Sequence, residues 1–296
     1  MKNNSKKIVR LSDGLANRMF QYSCYLYLIH NGYEAYIDDS TPNYLEHDNV
    51  SWNKIFPEAK YKRASKLDCV KNCGGFDVVS KIIRHKFKFL SLCKKMESPF
   101  VYPSGETLGR YNYFIGVMQN ANMVQIVSEQ VKRAFVFEDF EPGSFNHRLV
   151  QKMLEENSVA IHVRKGEDYT SRINFQNTCP VEYYKKAITY INDHVESPVF
   201  YVFTDNPKWV KDNLHDVDYE LIDSNPITGW GNHFDMQLMT KCKHNIIANS
   251  TYSWWGAYLN MNVDKIVIAP QRWFNEQYIS VEDSVSFTKC KGWHLF

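Results

Sequence analysis

Val159-Ala-Ile-His-Val-Arg-Lys-Gly-Glu-Asp-Tyr169 is an apolar run that ends in a cluster of charged side chains. Val159–Val163 has the composition of a buried strand. Strands of a parallel sheet tend to bind ligands at their carboxyl ends. The adjacent cations Arg164 and Lys165 suit a doubly charged diphosphate, because arginine offers a planar fork of donors and lysine a point charge. The alternative interpretation is a solvated turn after the strand.

The rest of the chain predicts an α/β protein. Its second half alternates strands with helices, which indicates a parallel sheet covered by helices on both faces. The candidate strands there are Val159–Val163, Val199–Thr204, Tyr219–Ile222, Asn245–Ala248 and Lys265–Ala269, and the helices run over about 180–194, from Asn206-Pro207, and over about 233–243. The first half opens with a strand at Ile8–Leu11, a turn at Ser12-Asp13-Gly14, a helix over about 15–31 and a strand at Tyr33–Ile37, and 120–137 is predicted helical. A Pro/Gly cluster at 140–144 predicts two domains, 1–145 and 146–296.

Composition excludes several classes of protein. The chain has 296 residues, 44% of them hydrophobic and 23% charged, and a net charge of +2, which gives no global case for nucleic-acid binding. Seven scattered cysteines favour reduced thiols over a disulfide framework, and Cys69 and Cys73 lack a second pair at zinc-ligand spacing. The absence of a signal peptide or a run of about 18 apolar residues predicts a cytoplasmic protein. The basic stretch Lys81–Lys95 indicates a solvated helix face or peripheral contact with an anionic membrane or a lipid-linked acceptor.

A second segment with a chemical signature runs from Asn245 to Ala257. A strand leads into the hydroxyl-rich turn 249–253 and then into a helix. Free N–H groups at a helix N-terminus, together with serine and threonine hydroxyls, form an anion site. If this strand and Val159–Val163 share a sheet, a diphosphate fits between the turn and Arg164. Simple helix capping by Ser250 and Thr251 is the alternative, and Trp254-Trp255 is predicted to be core.

Three carboxylate positions need separate interpretation. Asp205 ends a predicted strand and could contact ligand, orient Arg164 or cap the following helix. Asp235 could accept hydrogen bonds from the N1–H and N2–H edge of guanine, or be an exposed helix carboxylate. Asp216-Val-Asp218 is a D-x-D motif without a preceding apolar strand, so a polar loop is predicted there and no metal site.

Together these segments resemble the bacterial α-1,2-fucosyltransferases of glycosyltransferase family 11. The family run Gly-Gly-Leu-Gly-Asn-Gln-Met-Phe-Gln-Tyr corresponds to residues 13–22, His-Val-Arg-Arg-Gly-Asp-Tyr to 162–169, and Asn-Ser-(Ser/Thr)-Phe-Ser-Trp-Trp-Gly-Ala to 249–257. Four differences stand out: Asp13 replaces Gly, Arg18 replaces Gln, Lys165 replaces the second Arg, and Glu167 is a one-residue insertion.

The resemblance implies a GT-B-type glycosyltransferase, with two Rossmann-like domains facing a cleft. The C-terminal domain would hold GDP-fucose and the N-terminal domain a galactose-terminated glycan. Fucose would be transferred with inversion to the galactose 2-OH, in surface polysaccharide synthesis, without a metal or other cofactor. Arg164 would stabilise the departing GDP. Asp168 would be the base or would orient the base, with Glu167 as the second candidate. The predicted contacts with GDP-fucose are His162, Arg164, Lys165, Asp205, Asp235, Asn249, Ser250, Thr251 and Ser253, and those on the acceptor side are Gly14 and Asn17.

Other functions remain as alternatives. A fucosyltransferase of another linkage, such as α-1,6 to a chitin-like core, would share the donor site and differ in product. A non-catalytic GDP-sugar or glycan-binding protein would release no acceptor-dependent product. A dinucleotide-binding dehydrogenase is disfavoured, because Ser12–Asn17 lacks the G-x-G-x-x-G pattern.

Overall fold

A computed structural model describes residues 6–40, 52–72, 95–97, 105–275, 277 and 288–296. The chain divides into two compact units, Met1–Val136 and Phe137–Phe296. Phe137 belongs to the second unit because its ring stacks on His233, and the neighbouring Glu138 carbonyl accepts a hydrogen bond from Gln237. The predicted boundary after residue 145 lies further along the chain than this division.

The first unit is built on a parallel four-stranded sheet with the order β2-β1-β4-β3. Its described elements are β1 (Lys7–Arg10), α1 (Leu15–His30), β2 (Ala35–Asp38), α2 (Trp52–Ile55), α3 (Lys66–Lys71), β3 (Lys95–Glu97), α4 (Gly105–Arg110), β4 (Tyr113–Ile115), α5 (Ala121–Ile126) and α6 (Ser128–Ala134). The single helix predicted over 120–137 is therefore wrong. Val127 leaves helical geometry, at φ −108° and ψ 25°, and separates α5 from α6.

The turn between β1 and α1 is held by a buried amide. Asp13 adopts the left-handed backbone conformation, at φ 64°, and Gly14 is the N-cap of α1. The Gln21 side chain accepts a hydrogen bond from the Ser12 backbone N–H at 2.8 Å and donates to the Gly116 carbonyl at 2.9 Å. Gln21 thus ties the loop after β1 to the loop after β4.

The second unit contains a six-stranded parallel sheet with the order β10-β9-β8-β5-β6-β7. Its described elements are α7 (Phe145–Glu155), β5 (Asn157–Val163), α8 (Glu167–Thr170), a 3-10 turn (Ile173–Phe175), α9 (Val181–His194), β6 (Pro198–Thr204), α10 (Pro207–Asn213), β7 (Tyr219–Ile222), α11 (Phe234–Met239), β8 (His244–Ile246), α12 (Thr251–Leu259), β9 (Val267–Ala269) and β10 (His294–Leu295). The α/β class and the two Rossmann-like units are confirmed.

The strand order creates a switch point between β5 and β8. The chain moves from β5 outward through β6 to β7, and then returns to β8 on the other side of β5. The connections after β5 and β8 therefore leave the sheet in opposite directions, which opens a crevice at the carboxyl ends of these two strands.

Alternating side chains of β5 enter two different cores. Val159 and Ile161 pack with helix α9, whereas Ala160 packs with residues of α7 and α11. Helices on both faces bury the sheet, so its strands read as continuous apolar runs. Trp254 and Trp255 are fully buried, which confirms that they are core.

The predictions about thiols, membrane spans and metal sites can be compared with the described residues only. Cys24, Cys69, Cys179, Cys242 and Cys290 are buried free thiols, whereas Cys73 and the basic segment 81–94 lie outside the described residues. Within the described part of the chain, no helix has the length and apolar content needed to cross a membrane. The same residues contain no group of three or more His, Cys, Asp or Glu side chains suited to a metal ion.

Candidate functional site

Arg164 and Asp205 form an ion pair at the carboxyl edge of the second sheet. Arg164 directly follows β5, Asp205 directly follows β6, and these two strands are paired neighbours. The Arg164 Nη1 atom lies 2.7 Å from Asp205 Oδ2, and the Arg164 side chain is 32% exposed. The guanidinium is therefore held from one side while part of it still faces solvent.

Asp205 also organises the loop after β5. Its Oδ1 accepts the Lys165 backbone N–H at 2.7 Å, and its Oδ2 accepts the Gly166 N–H at 2.9 Å. Of the three predicted roles for Asp205, the structure shows orientation of Arg164. The cap of α10 is formed by Asn206 instead, whose side chain accepts the Trp209 N–H at 3.0 Å.

Lys165 contacts a different partner from Arg164. Its Nζ lies 5.2 Å from the centroid of the Trp209 ring on α10, and burial lowers the pKa of its ammonium group. Arg164 pairs with Asp205. Binding of one diphosphate by both cations stays a prediction.

The turn after β8 forms the other side of the crevice. Ser250 caps α12, since its Oγ accepts the Tyr252 N–H at 3.3 Å, and Thr251 begins the helix. Ser253 is fully buried, and its hydroxyl lies 3.4 Å from the Ala248 and Ser250 carbonyl oxygens. These contacts hold Ser253 within the turn, and its predicted contact with GDP-fucose stays a prediction.

Asn249 anchors this turn to the core. Its Nδ2 donates to the Trp273 carbonyl at 3.1 Å, and its Oδ1 accepts from the Cys179 thiol at 3.4 Å. The backbone carbonyl of Asn249 accepts the Tyr169 hydroxyl at 2.6 Å. Because Tyr169 belongs to α8, this hydrogen bond joins the connection after β5 to the turn after β8.

His162 lies at the end of β5 as a buried neutral imidazole. Burial, followed by the nearby positive charge of Arg164, lowers the pKa of His162 to about 3. Its Nδ1 is buried without a hydrogen-bond partner. Buried polar atoms in native proteins nearly always have partners, so this atom is available to a ligand or an ordered water.

Asp235 is a partly buried carboxyl group at the start of α11. Burial raises its pKa to about 6, although a hydrogen bond from the Asn225 side chain, at 2.7 Å, acts in the opposite direction. Asn225 in turn accepts from the Asn146 amide at 2.8 Å. The alternative of an exposed helix carboxylate is thus excluded, and Asp235 is an ionisable group held by a chain of amides.

Tyr252 brings the Asp235 helix to the crevice. Its hydroxyl donates to the Asn232 carbonyl at 2.6 Å and accepts the Met236 N–H at 2.9 Å. Its ring lies 5.9 Å from the His162 ring. The start of α11, the start of α12 and the end of β5 are therefore neighbours, and this arrangement brings together the predicted residues His162, Arg164, Asp205, Asp235, Asn249, Ser250 and Thr251.

The remaining predicted residues are not tested by this arrangement. Asp168 lies in the short helix α8, and its side chain lies outside the described residues. Glu167 begins the same helix and is exposed. Gly14 is the N-cap of α1 in the first unit and Asn17 lies in its first turn, where the Asn17 N–H donates to the Gly14 carbonyl at 3.0 Å.

Sequence analysis missed three supporting residues, Tyr169, Asn225 and Tyr252. Tyr169 and Tyr252 lie inside the two family motifs at 162–169 and 249–257, so their position is the signal that could have identified them. Asn225 lies in a polar loop ten positions before its partner Asp235, and nothing in the local sequence indicates their contact.

The order of the second sheet defines a Rossmann-type α/β protein, and Arg164 and the Ser250-capped helix α12 follow the two strands at its switch point. The model of glycosyl transferase family 11 matches residues 86–294. The chain belongs to this family.

Three proteins of known function are similar in sequence to this chain. An α-1,2-colitosyltransferase of Escherichia coli is 30% identical over 305 residues, with 96% of both chains covered. The O-antigen biosynthesis glycosyltransferase WbnK of E. coli is 29% identical and covers 89% of this chain and 93% of its own length. The human galactoside α-(1,2)-fucosyltransferase 1 is 28% identical over 143 residues, which cover 44% of this chain and 38% of the human protein.

Proposed function

We propose that this protein transfers L-fucose from GDP-β-L-fucose to the 2-OH of a terminal galactose, forming an α-1,2 linkage in an O-antigen or similar surface glycan. Membership of glycosyl transferase family 11 supports sugar transfer. The names of the human and bacterial relatives support a galactoside acceptor, an α-1,2 linkage and O-antigen synthesis.

The observation that carries the proposal is Arg164 held by Asp205 across the crevice from the Ser250-capped helix. Both groups stabilise negative charge, the arginine through donors of fixed geometry and the helix through its free N–H groups. A diphosphate between them would have the β-phosphate beside Arg164. Charge stabilisation at a leaving group is among the largest catalytic contributions available to an enzyme.

The proposed reaction is a single displacement with inversion at the fucose C1 atom. The acceptor 2-oxygen forms a bond to C1 while the bond from C1 to the β-phosphate oxygen breaks, and its electron pair leaves with GDP. The hydroxyl proton passes to a base, for which Asp168 remains the prediction and Glu167 the second candidate. Arg164 neutralises the charge that appears on GDP, so we propose that no metal is required.

Guanine is the base that Asp235 suits best. An ionised carboxylate can accept both the N1–H and the N2–H of guanine, whereas adenine offers no such pair of donors. Asn225 holds one carboxylate oxygen of Asp235, and the neutral His162 offers an unpartnered ring nitrogen nearby. These groups would select the base, and Arg164 would bind the diphosphate.

GDP-colitose is a second candidate donor, favoured by one observation. One relative, whose alignment covers 96% of this chain and 96% of its own length, is a colitosyltransferase. Colitose differs from fucose by the absence of the 3-hydroxyl group, so both donors present the same guanosine diphosphate to the residues described above. The choice between them depends on contacts with the sugar ring alone.

The test incubates the purified protein with GDP-fucose or GDP-colitose, in EDTA, against β1,3- and β1,4-linked galactosides and a chitin oligomer. GDP release, product mass and the linkage position by NMR are measured. Fucose on the galactose 2-OH supports the proposal, and faster transfer from GDP-colitose supports the second donor. Transfer to the chitin oligomer would establish the α-1,6-like alternative. GDP-fucose binding without transfer to any acceptor would contradict an enzymatic role, and loss of transfer in EDTA would contradict metal independence.

A further inference from the structure

Tyr169 makes three contacts at the crevice, and the proposed function assigns it no role. Its ring stacks on Phe175, with 4.3 Å between centroids and 4° between planes. The Arg164 Cζ atom lies 5.6 Å from the centroid of the Tyr169 ring. The Tyr169 hydroxyl donates to the Asn249 carbonyl at 2.6 Å. One side chain therefore contacts the cation and both sides of the crevice.

The ring of Tyr169 is itself held in place. Phe175 stacks on Phe274, with 5.7 Å between centroids. The residue before Phe274 is Trp273, whose carbonyl accepts the Asn249 side chain at 3.1 Å. The aromatic stack and the turn after β8 thus share one support, so Tyr169 cannot shift without disturbing that turn.

Arg164 is restrained from two directions by unlike interactions. Asp205 binds its Nη1 atom at 2.7 Å, and the face of the Tyr169 ring lies beside its guanidinium. An arginine side chain has several rotatable bonds, and a planar guanidinium acts best when its orientation is set in advance. Asp205 alone fixes one edge of the guanidinium, whereas a ring face beside it limits rotation about that contact.

We propose that Tyr169 is a positioning residue, which orients Arg164 and sets the separation between Arg164 and the turn that Ser250 begins. This inference rests on the proposed function and deepens it. The hydroxyl bridge to Asn249 joins the two connections that would contact a diphosphate, and the ring supports the guanidinium that would stabilise the departing charge.

The predicted consequence falls more on turnover than on donor binding. Negative charge grows on the β-phosphate only as the bond from C1 to oxygen breaks, so a misplaced Arg164 weakens the transition state more than the ground state. Displacements of about 1 Å at a reacting centre can lower rates about 100-fold. Loss of the hydroxyl bridge alone, with the ring retained, is expected to lower kcat about tenfold.

The chain offers a closely matched control for Tyr169→Phe. The Tyr183 hydroxyl also donates to a backbone carbonyl beside β8, that of Ile247, at the same distance of 2.6 Å. Tyr183 is a buried residue of α9, and its hydroxyl also lies 3.2 Å from the Ile268 carbonyl oxygen. Among the described residues, the partners of its hydroxyl and its ring do not include Arg164. Tyr183→Phe therefore removes a hydrogen bond at least as well satisfied as that of Tyr169, and should leave kcat within about twofold of wild type.

The deciding measurement is a double-mutant cycle between Tyr169→Phe and Arg164→Ala. Both kcat with GDP-fucose and GDP affinity by calorimetry are measured for the wild type, each single variant, the double variant and Tyr183→Phe. If Tyr169 acts through Arg164, Tyr169→Phe lowers kcat about tenfold and KM for GDP-fucose less than twofold, and it has no further effect when Arg164 is absent.

Two results would overturn the inference. One is equal activity of Tyr169→Phe and Tyr183→Phe, and the other is a full tenfold loss in the Arg164→Ala background. A wild-type protein that binds GDP but transfers no fucose would contradict the proposed function instead. That result concerns the wild type, whereas the two results above concern the variants of a protein that does transfer fucose, so the two failures are distinguishable.

Discussion

Replacement of Asp205 by asparagine tests how the crevice is held together. Asp205→Asn preserves the shape of the side chain but removes its charge and turns one acceptor oxygen into an N–H donor. In the native protein the carboxylate accepts the Lys165 N–H at 2.7 Å and the Gly166 N–H at 2.9 Å, and pairs with Arg164 at 2.7 Å. In the asparagine, Oδ1 can accept one of the two backbone N–H groups. Its Nδ2 is itself a donor and then faces the other N–H group, so that hydrogen bond is lost.

The magnitude follows from these contacts. A hydrogen bond to a charged group contributes about 1.5–3 kcal/mol, and one such bond is lost outright. The ion pair adds at most about 1 kcal/mol, because the Arg164 side chain is 32% exposed and solvent screens it. Asp205→Asn should therefore lower the free energy of unfolding of the second unit by about 2–4 kcal/mol.

The assay is urea unfolding, with Asp216→Asn as the control. Asp216 pairs with Lys185 at 2.8 Å, but the two side chains are 51% and 45% exposed. Loss of such a solvated pair should not change stability measurably. Because two units can unfold separately, the transition of the second unit is identified by its response to the substitution. Equal midpoints for Asp205→Asn, Asp216→Asn and wild type would refute the reasoning.

Three further predictions concern residues of the second unit, and one of them has its control variant in the first unit. Arg164→Ala should lower kcat for sugar transfer about 100-fold or more, and an activity within threefold of wild type would remove Arg164 from the mechanism. Burial raises the pKa of Asp235 from 3.8 to about 6, so ionisation of the folded protein removes up to about 3 kcal/mol of stability as pH rises from about 4 to 6. Asp235→Asn, which cannot ionise, should become more stable relative to wild type across that pH range. A stability difference between the two proteins that does not vary with pH would contradict the raised pKa. A Cβ atom at Gly256 would lie 2.9 Å from Met239 Cβ, so Gly256→Ala should cost about 1–3 kcal/mol in thermal or urea unfolding. Gly109→Ala is its control, because among the described residues no atom outside the local helix backbone lies within 4 Å of the added methyl group. It should be neutral or stabilising. Similar losses for both variants would show that helix packing is not the cause.

The elements of the second unit were largely predictable because each carries a local signal. The strand Tyr219–Ile222 was predicted with its observed bounds, and Asn206 followed by proline correctly marked the start of α10. These signals depend on apolar periodicity and on capping groups, which act within a few residues of each other. The break at Val127 was missed because no proline or glycine marks it.

The roles of individual side chains were less predictable. Lys165 and Arg164 are equivalent by charge and adjacent in sequence, yet their side chains reach different partners, one over Trp209 and one at Asp205. Ser253 and Ser250 are both serines, but Ser253 is the third residue of α12 and is fully buried there, whereas Ser250 caps the helix. Side-chain direction depends on backbone geometry and on neighbouring elements, neither of which a motif specifies.

The sequence by itself determined the α/β class, the positions of β1, β2 and β5 to β9, the resemblance to the α-1,2-fucosyltransferase family and the two segments that meet at the switch point. These depend on local pattern, because periodicity and turn chemistry are properties of neighbouring residues. Only the tertiary structure decided that Asp205 holds Arg164, that Asn225 holds Asp235 and that the Tyr169 hydroxyl reaches Asn249. Each of these pairs joins residues 10 to 80 positions apart in the chain. Such contacts arise when parallel strands bring their carboxyl ends to one edge, so they depend on strand order and not on local sequence.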